Sequence, residues 1–212
     1  MKRWPTILIS AVTLLLATAA AANPVLVPTY GWEDGGTVLG LSGTGDPPIY
    51  ATNVSAPDPV HWDNAALRLE DNSPSGTPQA YVAFIWNLLP GDYVMAGFWR
   101  FDDTPSASPS CRIWGHWNDS LPGDPNGYDG SADGNNDYGL GEGWDYTYWE
   151  WMVPVEHTGL VIEVRTYSNP GDVVWIDDIE VLAPEHAYIQ FPGTGPVDVE
   201  SRAWGGVKSL FR

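Results

Sequence analysis

The chain has 212 residues, with 27 acidic residues against 9 basic ones and a formal net charge of −18. Such a balance repels polyanions, so the composition disfavours nucleic acid and anionic membrane surfaces as partners. The single cysteine, Cys111, excludes an internal disulfide, so a packed core or a bound metal must supply the stability. Twelve tryptophans and ten tyrosines provide both core material and platforms on which a ligand can stack.

The first 22 residues have the features of a secretory signal peptide. Lys2 and Arg3 precede an apolar run over residues 7–16, and alanines at 19–22 provide the small residues for cleavage after Ala22. The apolar run is too short to serve as a bilayer anchor. The sequence therefore predicts an exported protein, extracellular or at the cell surface, without a membrane span.

Short runs of alternating apolar residues follow, separated by clusters of Gly, Pro, Asn and Asp, and no stretch has a helical period. This pattern predicts an all-β fold, a two-sheet antiparallel sandwich of the jelly-roll kind with eight to nine strands. The predicted strands cover residues 25–32, 65–70, 79–87, 92–102, 110–118, 146–153, 159–167 and 173–182, and the candidate for a ninth is 49–54.

Two adjacent carboxylates, Asp177 and Asp178, interrupt the last predicted strand. Successive strand residues point to opposite faces, so one of the two must point toward the core, where an unpaired charge is costly. A second acidic pair, Glu33 and Asp34, lies in a glycine-rich turn near the start of the mature chain. We expect the two segments to meet and their carboxylates to share a calcium ion, which prefers oxygen ligands. The alternative is a solvated strand end with both aspartates at the rim.

Four spaced motifs indicate a family resemblance. They are GWEDG at 31–35, LPGDY at 89–93 leading into FWR at 98–100, WEWMVP at 149–154 and WIDDI at 175–179. Through these motifs, residues 24–183 resemble the carbohydrate-binding modules of families 4, 9, 16 and 22, which are galactose-binding-like β-jelly-rolls. The resemblance implies a non-catalytic sugar-binding role and a structural calcium held by Glu33 with Asp177 or Asp178.

The two-residue period of strands predicts a ligand-binding face. We expect strands 65–70, 92–102, 110–118 and 159–167 to form one sheet whose outer face carries arginine, acidic and aromatic side chains. The predicted binding residues are Arg68, Glu70, Phe98, Arg100, Asp102, Arg112, Trp114, His116, Glu163, Arg165 and Tyr167. Aromatic rings stack on sugars while arginines and carboxylates hydrogen-bond hydroxyl groups, which favours a sugar-binding cleft. The alternative is a cross-strand ladder of ion pairs.

The acidic, glycine-rich segment 119–145 contains a partial match to a calcium-binding loop. The run DGSADGNND over 129–137 has the ligand spacing, but Leu140 stands where the bidentate glutamate should be. A second calcium site and a mobile solvated loop are the two alternatives for this segment.

The sequence lacks the signatures of catalysis that we sought, namely a glycosidase carboxylate motif, a nucleophile elbow and zinc-like histidine spacing. It predicts a secreted, non-catalytic domain that binds a poly- or oligosaccharide. The alternative is a structural or adhesive cell-surface or matrix protein without a sugar ligand. Residues 184–212 are predicted to be a linker and a basic, aromatic tail, either a sorting or docking signal at the cell surface or a frayed terminus.

Overall fold

The computed structural model describes residues 24–26, 29–103, 110–120, 124–139, 142–194 and 197–198. The predicted signal peptide at 1–22 and the predicted tail from residue 199 onward lie outside these residues. Within the described part of the chain every regular element is a strand, and the strands form two antiparallel sheets packed face to face. The predicted two-sheet β-sandwich is therefore confirmed. A search of the described residues for helices that could cross a membrane found none.

Thirteen strands are present in the described residues, numbered in chain order. They are β1 (Pro24–Leu26), β2 (Gly40–Ser42), β3 (Ile49–Val54), β4 (Ala66–Asp71), β5 (Gln79–Trp86), β6 (Tyr93–Asp102), β7 (Arg112–Trp117), β8 (Gly130–Gly134), β9 (Gly143–Met152), β10 (Gly159–Arg165), β11 (Val173–Pro184), β12 (Tyr188–Gln190) and β13 (Val197–Asp198). The strands beyond the predicted eight or nine are short, and they extend the edges of the sheets or pair with one end of a longer strand.

Sheet A has the order β3-β4-β11-β6-β9, with β1 paired to β11. Sheet B has the order β13-β12-β5-β10-β7-β8, with β2 paired to β5. The core lies between the sheets, where Leu160, Ile162 and Val164 of β10 are fully buried, as their alternation predicted. Each such side chain contributes about 1.5–3 kcal/mol on burial. Cys111 lies in the same core, and burial raises the pKa of its thiol to about 12.

The predicted four-stranded binding sheet is wrong. Strands β4 and β6 belong to sheet A, whereas β7 and β10 pair with each other in sheet B. The four arginines of the predicted face are therefore divided between the two sheets. Alternation within a strand predicts its two faces, but the choice of neighbour depends on contacts between residues far apart in the sequence.

The predicted orientation of β6 is reversed. Its inward face carries Val94, Ala96, Phe98, Arg100 and Asp102, which are all buried. Arg100 is accommodated there because its guanidinium pairs with Asp145 at 2.7 Å and donates a hydrogen bond to the carbonyl oxygen of Cys111 at 2.5 Å. The opposite face of β6 carries Trp99, so both faces are largely apolar and polarity alone could not select the buried one.

The sandwich extends beyond the predicted boundary at residue 183. Strand β12 pairs with β5, and Ile189 and Phe191 are fully buried in the core. The first part of the predicted linker and tail therefore belongs to the sandwich. Within the predicted calcium-type loop at 129–137, residues 130–134 form strand β8 beside β7, so this part of the segment is a strand and not a loop, and the second calcium site stays a prediction.

Candidate functional site

The start of the described domain meets its last long strand, as the acidic pairs predicted. Tyr30 and Ile179 form an isolated antiparallel bridge, with N···O distances of 2.9 and 3.0 Å. Beside this bridge, the register of β11 against β6 shifts between Asp177 and Glu180, and Asp178 has a φ of 51°. An irregularity of this kind changes the direction in which the neighbouring side chains point. Asp177 is consequently buried, while Asp178 lines a surface cleft.

The cleft has a volume of about 570 Å³. Its lining combines aromatic rings, carboxylates and hydroxyl groups: Thr29, Tyr30, Gly31, Glu33, Asp34, His61, Trp62, Asp63, Trp99, Asp178, Glu180 and Thr194. No lysine or arginine occurs among these described lining residues. The cleft therefore presents hydrogen-bond acceptors beside apolar ring surfaces.

The aromatic wall comes from a loop and from strand β6. Trp62 lines the cleft while exposing 68% of its surface. Its neighbour His61 stacks on Trp99, with ring centroids 4.2 Å apart and an interplanar angle of 16°. The stacked pair of His61 and Trp99 and the exposed ring of Trp62 therefore line the same cleft and form its aromatic wall.

Tyr146 also packs against Trp99, with the two ring centroids 5.4 Å apart. The Tyr146 hydroxyl donates a hydrogen bond to Glu180 at 3.2 Å. Burial, together with the Glu180 carboxylate, raises the pKa of Tyr146, so the phenol remains a donor. Gly97 makes this arrangement possible, because a Cβ at that position would collide with the Tyr146 hydroxyl.

Asp177 positions the loop that carries the aromatic wall. Its Oδ2 accepts hydrogen bonds from the backbone N–H groups of His61 and Trp62, at 2.9 and 3.2 Å. Its Oδ1 accepts a hydrogen bond from the backbone N–H of Asp178 at 2.8 Å. Burial raises the pKa of Asp177 to about 6, although these hydrogen bonds oppose the shift. Asp177 is thus a buried support for the cleft.

Two further carboxylates hold the same loop. Glu33 Oε1 accepts hydrogen bonds from the backbone N–H groups of Asn64 and Ala65, at 2.9 and 2.7 Å. Asp178 Oδ2 lies 2.6 Å from Nδ1 of His61. The loop before β4 is therefore fastened by acidic residues from both ends of the domain.

The predicted calcium ligands Glu33, Asp177 and Asp178 surround this loop without forming a ligand set. In the described part of the chain, no group of three or more His, Cys, Asp or Glu side chains is placed to hold a metal ion. Each of the three carboxylates already has partners within the protein. As arranged here, the residues do not fit a calcium ion, and the calcium site stays a prediction from the sequence.

Six of the predicted binding residues remain associated with the outer face of sheet B: Arg112, Trp114, His116, Glu163, Arg165 and Tyr167. The guanidinium groups of Arg112 and Arg165 lie 4.5 and 4.6 Å from the ring centroid of Trp114. His116 and Glu163 are fully buried, with Nδ1 and Oε1 2.5 Å apart. This cluster lies on sheet B, whereas strands β6 and β11, which contribute Trp99 and Asp178 to the cleft, belong to sheet A.

The other five predicted binding residues lie in sheet A, apart from that cluster. Arg68 and Glu70 form an ion pair at 2.9 Å on its outer face. Phe98 is in the core, and Arg100 and Asp102 are buried at the end of β6. The predicted set of eleven is therefore not one surface.

Sequence reasoning missed the aromatic wall of the cleft. His61 and Trp62 lie in a proline- and aspartate-rich segment without strand alternation. With Phe98 and Arg100 predicted to point outward, the two-residue period placed Trp99 on the inward face. The available signal was a tryptophan in a segment predicted to be a loop, because a large apolar ring in a loop is expected to stay at the surface.

No protein-family model matches the sequence, and no curated protein matches it. Among solved structures, the chain is similar to the CBM22-1 xylan-binding domain from Paenibacillus barcinonensis Xyn10C. The TM-score is 0.50 at 11% identity, over 78% of this chain and 98% of that domain. The fold is that of a carbohydrate-binding module of the jelly-roll type. The resemblance inferred from the four motifs is thereby confirmed at the level of the fold.

Two further solved structures are similar to this chain in fold. The tandem CBM22-1–CBM22-2 domain of Xyn10C matches with a TM-score of 0.51 at 11% identity, over 79% of this chain and 48% of that one. The arabinose-bound MgGH51 α-L-arabinofuranosidase matches with a TM-score of 0.51 at 9% identity, over 79% of this chain and 27% of the enzyme. Identities this low establish the fold alone, so the ligand must be argued from the cleft.

Proposed function

We propose that this chain is an exported, non-catalytic carbohydrate-binding module that binds a poly- or oligosaccharide in the cleft beside Trp62. The main support is the exposure of Trp62, which is 68% for the residue, along a cleft of about 570 Å³. The exposed indole offers an apolar surface on which a ligand can stack, and sugar rings present apolar faces of similar size. Export rests on the signal-peptide pattern of residues 1–22.

The acceptors of the cleft favour a neutral sugar. Asp63, Asp178 and Glu180 line it, and a hydroxyl that donates to a charged acceptor forms a stronger hydrogen bond than one between neutral groups. A uronate or sulfate group would instead meet these carboxylates with no cation among the described lining residues. Neutral chains are therefore the expected ligands, and xylan, which the similar Xyn10C domain is named for binding, is the first probe.

Affinity gel electrophoresis of the mature chain tests the proposal. Neutral xylan, β-glucan and mannan are compared with polygalacturonate as the acidic polymer. We expect one or more neutral polymers to retard the protein, and Trp62→Ala to weaken retention on the order of tenfold or more, as for a central aromatic anchor. Tyr50→Ala removes an exposed aromatic ring from β3, outside the cleft lining, and is expected to leave retention unchanged.

A third variant separates the cleft from the face predicted by sequence. Trp114→Ala should retain wild-type binding, because Trp114 lies on the outer face of sheet B. Loss of retention in Trp114→Ala but not in Trp62→Ala would move the site to sheet B. No retention of a folded protein by any polymer would favour the structural or adhesive alternative.

A further inference from the structure

Two arginines face each other directly on the outer face of sheet B. Arg165 of β10 and Arg112 of β7 are register partners. Side chains so placed have Cβ atoms about 4.5–5.5 Å apart, and like charges in that position repel. This chain has only 9 basic residues against 27 acidic ones, so a directly opposed pair of arginines calls for a compensating negative charge.

The nearby carboxylate of Glu163 cannot balance this cluster. Its Oε2 accepts a hydrogen bond from Arg165 Nε at 2.6 Å, and its Oε1 lies 2.5 Å from Nδ1 of His116. His116 Nε2 lies 3.0 Å from the carbonyl oxygen of Gly127. Both ring nitrogens of His116 and both carboxylate oxygens of Glu163 thus already have partners within the protein. This one carboxylate thus faces two arginines, of which it hydrogen-bonds only Arg165.

Arg112 has no carboxylate partner among the described residues. Its Nη1 donates a hydrogen bond to the side-chain oxygen of Asn136 at 2.5 Å, and its buried Nε finds no acceptor in the described structure. The guanidinium is held between rings, 4.5 Å from the centroid of Trp114 and 5.0 Å from that of Tyr138. A buried donor without an acceptor costs free energy, which an anionic ligand beside it would recover.

Aromatic rings border the opposed arginines. The Arg165 guanidinium lies 4.6 Å from the centroid of Trp114. Tyr138 meets Tyr167 edge-on at 5.6 Å, and Tyr167 is 57% exposed. A planar carboxylate matches the fork geometry of arginine, and an adjacent ring offers apolar surface to the body that carries the carboxylate.

We propose that the outer face of sheet B is a second ligand site, which binds the carboxylate of an acidic sugar, a uronic acid residue, between Arg112 and Arg165 with Tyr167 beside the sugar ring. This site lies on the other sheet from Trp99 of the cleft, and it takes acidic ligands, whereas the cleft is proposed to take neutral ones. Its existence does not depend on binding at Trp62.

Calorimetric titration of the mature chain with trigalacturonate tests the proposal, with the neutral galactose trimer and acetate as the other arms. We expect the acidic trimer to bind and acetate to bind at least tenfold more weakly. The neutral trimer is titrated into Trp62→Ala, in which the cleft is weakened, and is expected to give no binding heat. Arg112→Gln should weaken trigalacturonate binding at least tenfold. Arg68→Gln, the matched loss of an arginine from sheet A, and Trp62→Ala should leave it unchanged.

Several results would overturn the acidic-sugar site. These are no binding of trigalacturonate, equal binding of the neutral trimer by Trp62→Ala, acetate binding as tight as that of the acidic trimer, and an equal loss in Arg68→Gln. Because Trp62→Ala is expected to weaken binding only in the cleft, failure of the cleft and failure of this site give different results. The test uses Arg112→Gln and not a variant of Arg165, because Arg165 also donates a hydrogen bond to the buried Glu163.

A stability measurement separates a ligand site from an ion-pair ladder. Removing one of two opposed cations relieves repulsion, so Arg112→Gln is expected to raise the melting temperature of the ligand-free protein by roughly 1–4 °C. A structural ladder predicts the opposite sign. A lowered melting temperature in Arg112→Gln would therefore count against the proposal.

Discussion

The imidazole of His61 lies flat against the indole of Trp99, with ring centroids 4.2 Å apart. The same imidazole places Nδ1 2.6 Å from the carboxylate of Asp178. One histidine thus joins a loop, strand β6 and the irregular part of β11, and it sets the shape of the wall on which a sugar is proposed to stack.

The first prediction concerns that stack. His61→Phe keeps a ring against Trp99 and is expected to retain glycan affinity within about threefold, whereas His61→Ala should lose about tenfold, since aromatic pairs contribute roughly 0.5–1.5 kcal/mol beyond burial. Calorimetry with the retained neutral glycan measures both. His157→Ala is the matched control, because His157 stacks on Trp117 at 5.0 Å and pairs with Asp119 outside the cleft. Equal affinities of the two His61 variants would contradict the role of the ring.

The second prediction concerns pH. Burial raises the pKa of Asp177 to about 6 in the folded protein, above its ordinary value of 3.8. Between these values the folded state binds more protons than the unfolded state, so stability from this group falls as pH rises through 6 and is lost above it. In EDTA, urea unfolding should show that Asp177→Asn reduces the loss of stability between pH 5 and pH 7.5. An identical pH dependence in both proteins would contradict this assignment.

The third prediction concerns calcium. Because Glu33, Asp177 and Asp178 already have hydrogen-bond partners, we expect EDTA to leave the melting temperature unchanged. Calcium at a free concentration 100 times its Kd would raise the free energy of unfolding by about 2.7 kcal/mol. For a domain of this size, that raises the melting temperature by several degrees. Differential scanning fluorimetry in EDTA and in millimolar calcium makes the comparison. A rise with calcium that is lost in Glu33→Gln would support the calcium site predicted from the sequence.

The fourth prediction compares two arginines of sheet A. Arg100 is 1% exposed and pairs with Asp145, so Arg100→Met should cost about 3–5 kcal/mol by leaving buried partners without a cation. Arg68 pairs with Glu70 at the surface, and Arg68→Met should cost at most about 1 kcal/mol. Urea unfolding at neutral pH measures both. Similar losses in the two variants would show that Arg100 is not the buried support described here.

The strands could be predicted because their signal is local. Leu67 and Leu69 point into the core while Arg68 points outward, as the period of two requires. The meeting of residues 30–34 with β11 could also be predicted, because adjacent carboxylates in an apolar strand need partners. Where both faces of a strand are apolar, as around Trp99, the two-residue period does not predict which face is buried.

By itself, the sequence determined the all-β class, the approximate strands and the presence of a jelly-roll-like motif order, since these follow from alternation, turn residues and short spaced motifs. Only the tertiary structure decided which strands are neighbours and which residues share a surface. It separated Arg68 and Arg100 from Arg112 and Arg165, and it gathered the cleft from segments distant in the chain. The physical reason is that sheet pairing and loop placement depend on the combined free energy of many long-range contacts, which no single stretch of residues encodes.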